Sequence, residues 1–200
     1  MITGTVWAND LYSRLVGIGF EGSSLQKLAN TIGDGSAMAV VGVAFTTVDV
    51  GTVPGAGIGT GTGITGLSAS AMSNNMYTLS VSSFGSEGSK LKDICDAIAA
   101  SCVAQLALAH LASVDAPVVI GTGSVVVGSI AVTASSWSSA ISTQGEANGF
   151  QGSQWPNWAQ AIGGGQAQEV LADGTGSLII AGATPGSPSP GTGGGTGTIS

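Results

Sequence analysis

One pattern limits what this chain can fold into more than any other: the same landmarks return at a fixed distance. Gly19-Phe20-Glu21-Gly22-Ser23 recurs 130 residues later as Gly149-Phe150-Gln151-Gly152-Ser153, and the looser Phe84-Gly85-Ser86-Glu87-Gly88-Ser89 stands midway. Half of 130 gives a period of about 65 residues, and a period of tens of residues is the mark of a repeated supersecondary unit. Other landmarks keep the phase. Val48-Asp49 answers Val114-Asp115, and Gly51-Thr52-Val53-Pro54-Gly55 answers Gly182-Ala183-Thr184-Pro185-Gly186.

After each Gly-Ser the apolar residues stand three and then four apart: Leu25, Leu28, Ile32; Leu91, Ile94, Ile98; Trp155, Trp158, Ile162. That spacing is a helical stripe. Before each Gly-Ser stand Trp7 and Leu11, Met72 and Met76, Trp137 and Ile141, pairs that share a helical face. Each unit therefore reads as a short helix, a glycine turn, a longer helix and a Gly-rich connection. Ser23, Ser89 and Ser153 stand where a hydroxyl would cap the second helix, and Pro156 falls in a first turn, where its missing N–H costs little. In the middle unit this helix reads as Lys90 to Ser113. Gly33-Asp34-Gly35 and Gly163-Gly164-Gly165 interrupt it in the other two.

The connections are of a different kind. Val118 to Ala131 and Ser177 to Ala181 are β-branched and punctuated by glycine, which predicts short strands, and Gly55 to Gly63 fits a strand or a loop. Composition makes Pro185 to Ser200 a linker. Repeat phase instead aligns it with the first connection and predicts order through contact with another unit or subunit. The expected fold is α+β and helix-rich. It has three tandem helical-hairpin repeats, 1–66, 67–131 and 132–200 with the Gly/Pro/Ser/Thr-rich tail 185–200, in a pseudo-threefold body.

Only 8% of residues are charged, 34 are glycine and the mean hydropathy is +0.43. A surface of Ser, Thr, Gly and Ala associates with copies of itself without burying ions, which predicts a homo-oligomer of three- or sixfold symmetry. The net charge of −7 leaves no basic stripe for a phosphate backbone, so nucleic acid is not an expected partner. No basic start followed by an apolar run marks a secretory signal in the first residues. Ile94 to Ser113 has the length of a membrane span. Asp96, Gln105 and His110 inside it favour a buried central helix, so membrane contact is not expected.

Residues able to do chemistry are few. His110 is the only histidine, follows apolar Leu106 and Leu108, and reads as a packed or interface residue rather than the base of a triad. Cys95 and Cys102 are two helical turns apart, about 10 Å along the axis, too far for a disulfide, and read as small buried hydrophobes. Gly55 to Gly61 holds several G-x-G strings, but neither a Rossmann nor a Walker pattern surrounds them. Asp93 and Asp96 beside Lys90 and Lys92 read as a solvated face. No catalytic, cofactor or metal site is expected. The residues singled out instead are packing or interface anchors: Trp7, Met72, Trp137, Trp155 and Trp158.

Low charge, Gly/Ser/Thr/Ala richness, few His and Cys and repeated modules run through the whole chain. In this style it resembles virion structural proteins of tailed bacteriophages. The resemblance implies a non-enzymatic structural subunit in a neck, tail, baseplate or decoration position, assembled in the host cytoplasm with copies of itself and other particle proteins. The alternative is a membrane-active protein that uses the apolar helices and Gly-rich segments.

Overall fold

The computed structural model describes residues 3–41, 44–51, 57–62, 66–85, 88–115, 121–173, 179–184 and 191–198. Side chains are described over 3–41, 66–83, 85, 88–109 and 132–170. Six helices, α1 (Gly4–Gly17), α2 (Leu25–Val40), α3 (Ala69–Phe84), α4 (Ser89–Ala107), α5 (Ala134–Ala147) and α6 (Trp155–Asp173), pack in a closed ring. Each helix lies against its two neighbours in sequence, and α6 returns to α1.

This arrangement overturns the expected α+β class. Where side chains are described, the body is all-helical: six helices cover 79% of those residues, and no strand is among them. Three separate hairpin units on a pseudo-threefold axis are not shown either. No hairpin has a core of its own, because Trp7, Leu11, Ile32, Met72, Ile98, Trp137 and Ile162 all belong to one buried cluster. A two-helix unit buries one face only, and closing the ring buries the other.

The chain leaves this body in three excursions, whose backbones pair with one another rather than with the helices. β1 (Ala44–Gly51), β2 (Gly57–Thr62), β3 (His110–Asp115), β4 (Gly121–Ala131), β5 (Ile179–Thr184) and β6 (Gly191–Thr198) form a closed antiparallel barrel in chain order. Closure comes from the glycine-rich end of the chain. β6 pairs with β1 from Ala44 opposite Thr198 to Gly51 opposite Gly191. Closure leaves no free strand edge, which strands this rich in unpaired backbone would otherwise expose. Of the connections read from the sequence, 52–56, 63–65, 116–120, 174–178, 185–190 and 199–200 lie outside the described residues.

Three local readings are corrected. First, Ser23, Ser89 and Ser153 do not cap. The residue before α2 is Ser24, in the αR region and with no side-chain cap bond, and Ser89 is already inside α4 behind an extended Gly88. Ser153 stands two residues before α6, whose first N–H, like that of α2, is taken by a glycine carbonyl: Leu25 N–H donates to Gly22 O at 3.1 Å and Trp155 N–H to Gly152 O at 3.2 Å. Hydroxyl caps occur on the other three helices. Thr3, Ser68 and Thr133, each 65 residues from the next, accept from Val6, Ala71 and Ser136 N–H.

Second, α2 and α6 run unbroken through Gly33-Asp34-Gly35 and Gly163-Gly164-Gly165. These glycines are contact points between helices. A Cβ on Gly33 would stand 2.6 Å from the Ala8 nitrogen, and one on Gly163 2.5 Å from the Ser138 nitrogen. Third, α4 stops at Ala107, and His110, expected in that helix, opens β3.

Candidate functional site

The turns at one end of the body place aromatic residues by local backbone chemistry. After α1, Gly19 N–H donates to Val16 O and Phe20 N–H reaches back to Leu15 O at 3.1 Å. After α5, Gly149 and Phe150 make the same pair of bonds, to Glu146 O and to Gly145 O at 2.9 Å. This is the Schellman closure, and it needs the positive φ of Gly19 (88°) and Gly149 (84°). The residue after the glycine is thereby aimed back over the helix end.

Phe20 and Phe150 so wall an apolar groove of about 330 Å³, floored by Leu28, Ile94 and Trp158 from the N-terminal two turns of α2, α4 and α6. Trp155 completes it. Its ring stacks on Phe150 (centroids 5.0 Å, 20° between planes) and on Trp158 (5.1 Å, 26°), and its indole N–H donates to Ser142 O at 3.1 Å. Gly145 makes room for this ring, since any Cβ there would overlap it. Phe20, Leu28, Ile94, Phe150 and Trp155 remain half-buried, and Trp158 is 9% exposed. Lys90 holds its ammonium 5.2 Å from the Phe150 ring centre and donates to Asn148 O at 3.0 Å, a cation–π placement on the rim.

The five predicted anchors therefore divide. Trp7, Met72 and Trp137 are fully buried in the core, while Trp155 and Trp158 line the groove. Sequence reasoning used Phe20 and Phe150 only as phase markers. Their signal was glycine before phenylalanine at a helix end, in two of the three turns.

One polar cluster has the composition of a catalytic site. Ser73 Oγ in α3 donates to Asp96 Oδ1 at 2.5 Å and accepts from Lys92 Nζ at 2.8 Å, and Lys92 also pairs with Asp96. Burial works against the Asp96 charge. Hydrogen bonds from Lys92 and Ser73 and the lysine charge outweigh it and hold the carboxyl below its usual range. Lys92 Nζ is the donor to Ser73 Oγ, and Ser73 is 1% exposed, so the hydroxyl is enclosed by its partners. The cluster fastens α3 to α4. The expected solvated face is thus partly an inter-helix lock, while Lys90 and Asp93, 3.4 Å apart, remain outside it.

Cys95 and Cys102 are free and buried. Burial pushes the Cys95 thiol up to about 11 and raises Cys102 further. Among the described residues no group of three or more His, Cys, Asp and Glu is placed to hold a metal, and no helix is long and apolar enough to cross a membrane. The side chain of His110 lies outside the described set. A larger polar groove of about 680 Å³ runs beside Arg14, Ser138, Ser142, Asn157 and Gln160, but Arg14 is already engaged by Asp10 at 2.7 Å and by Gln168. No family model, characterised protein or solved structure matches this chain.

Proposed function

We propose that this chain is a structural subunit that works by assembly, with copies of itself and with neighbouring proteins of a viral particle, in a neck, tail, baseplate or decoration position. The observation that carries the reading is the aromatic groove. Six apolar side chains from three helices and two turns converge at one end of a packed body and stay partly open to water. A patch of this kind, on a chain of which only 8% is charged, is a surface to be covered by protein. The engaged state of Ser73, Lys92, Asp96 and Arg14 fits a structural role better than a catalytic one.

Sedimentation velocity of the purified chain from low to high micromolar tests the reading. Defined oligomers are expected. A monomer throughout that range overturns the assembly reading, and release of dye from liposomes by that monomer would establish membrane activity in its place.

A further inference from the structure

We infer that the core binds an internal water at the side-chain amide of Gln166, and that this water completes a polar bridge from α6 to α2 through the interior of the helical ring. Gln166 and Ser36 are 1% and 0% exposed, and Gln166 Nε2 donates to Ser36 Oγ at 3.3 Å. The bonds of Arg14 to Gln168 and of Lys27 to Ser83 join helices that are neighbours in the ring. The bond from Gln166 to Ser36 does not. α1 lies between α2 and α6 in the ring, so this bond spans the interior behind it.

The surroundings are apolar. Four residues before and after Ser36 along α2 stand Ile32 and Val40, and the same positions around Gln166 in α6 hold Ile162 and Val170. All four are 2% exposed or less. Residues four apart share a helical face, so the hydroxyl and the amide form one polar layer between two apolar ones, shut off from bulk water.

An amide has more bonding capacity than one serine uses. Gln166 Oε1 is buried and has no donor among the described residues. The buried hydroxyls of Thr31, Ser73 and Ser101 are committed to Leu28 O, to Asp96 and to Ala97 O. Glu169, three residues further along α6, is buried with a partner of its own. A carbonyl oxygen that loses its hydration to an apolar core without a replacement bond is costly, and folded proteins seldom keep one. The indole N–H groups of Trp7 and Trp137, in the same core, lack an acceptor as well.

Water is the ligand whose chemistry fits these groups. It donates to Gln166 Oε1, and its own lone pairs accept from Ser36 or from an indole N–H. An anion would meet the negative end of the amide dipole. Ser36 fills less of its layer than Ile32 and Val40 fill of theirs, which favours a small guest.

A crystal structure of the whole chain, grown with bromide and at a resolution that shows single waters, tests this. Expected is a density peak without anomalous signal, within hydrogen-bond distance of Gln166 Oε1 and of at least one of Ser36 Oγ, Trp7 Nε1 and Trp137 Nε1. Bromide's anomalous signal at that peak overturns the inference, as does an amide that is dry, or turned over and bonded to protein atoms alone. Urea denaturation reads the same point in solution. With Ser36→Ala as the common background, Gln166→Met keeps the length of the side chain and removes the amide. The folding constant should then fall, by about threefold or more, because bonds to water are given up. A constant that stays level or rises shows that the oxygen was unpaired, since an apolar group of similar shape then costs nothing, and the water site is refuted.

Discussion

Gly33 of α2 lies against the backbone of Ala8 in α1, so close that a methyl group on Gly33 would stand 2.6 Å from the Ala8 nitrogen and equally near the Gly4 carbonyl oxygen. Two helices are held at a distance that no side chain permits. Helix propensity favours alanine over glycine by about 1 kcal/mol, but overpacking of a tight contact costs about 1–3 kcal/mol. Gly33→Ala should therefore destabilise, by about 2 kcal/mol in urea denaturation. Gly17→Ala, where a Cβ meets nothing within 4 Å, should be neutral or gain a few tenths of a kcal/mol. Equal effects at the two positions would remove the close-contact account.

The hydroxyl caps make a second contrast. Replacing Ser68 or Thr133 by alanine should lower stability by about 1 kcal/mol, the usual cost of a lost cap. Ser23→Ala and Ser153→Ala should stay within about 0.5 kcal/mol, as at other exposed positions without a special role. Thermal or chemical denaturation of the four single variants reads the difference.

The Ser73, Lys92 and Asp96 lock gives stability a dependence on acid. Asp96 has a folded-state pKa below its unfolded value of about 3.9, so its contribution is complete above that value and is lost as pH falls through the lower folded one. The Asp96 side chain is 45% exposed, so screening keeps the term to about 1 kcal/mol or less. Asp96→Asn should be less stable than the wild type at pH 7, and the two curves should converge as the pH falls through the lowered folded-state pKa of Asp96. Parallel curves down to pH 2 would show that the lock carries no linkage.

Thiol chemistry reports the integrity of the core. Cys102 is fully buried and Cys95 nearly so, and both thiols are shifted upward by burial, Cys95 to about 11. At pH 8 an aromatic disulfide reagent should modify neither in the folded protein and both in denaturant. Fast reaction of either in native buffer would show local opening of α4.

The local elements were legible in the sequence because their causes are local. Stripes at three and four residues located the helices, and the recurring glycine-serine landmark located the turns between them. Trp155 and Trp158 stood out as anchors, and Leu28 and Ile94 as stripe members. What brings them together was not legible. Leu28, Ile94 and Trp158 lie on three helices that meet only when the ring closes. The glycine triplets were misread for the same reason. Glycine inside a helical pattern is a breaker by propensity alone, and only a neighbouring backbone at 2.5–2.6 Å from the missing Cβ turns it into a contact.

By itself the sequence determined what depends on neighbours along the chain: the helical faces, the glycine turns after α1 and α5, and a composition poor in charge. The tertiary structure decided what depends on partners far away. It set the end of α4 at Ala107, the pairing of Ala44–Gly51 with the chain's last strand, and the gathering of every hairpin into one core. Strand pairs and helix contacts gain their free energy only after distant segments meet, at an entropy cost that no local pattern records.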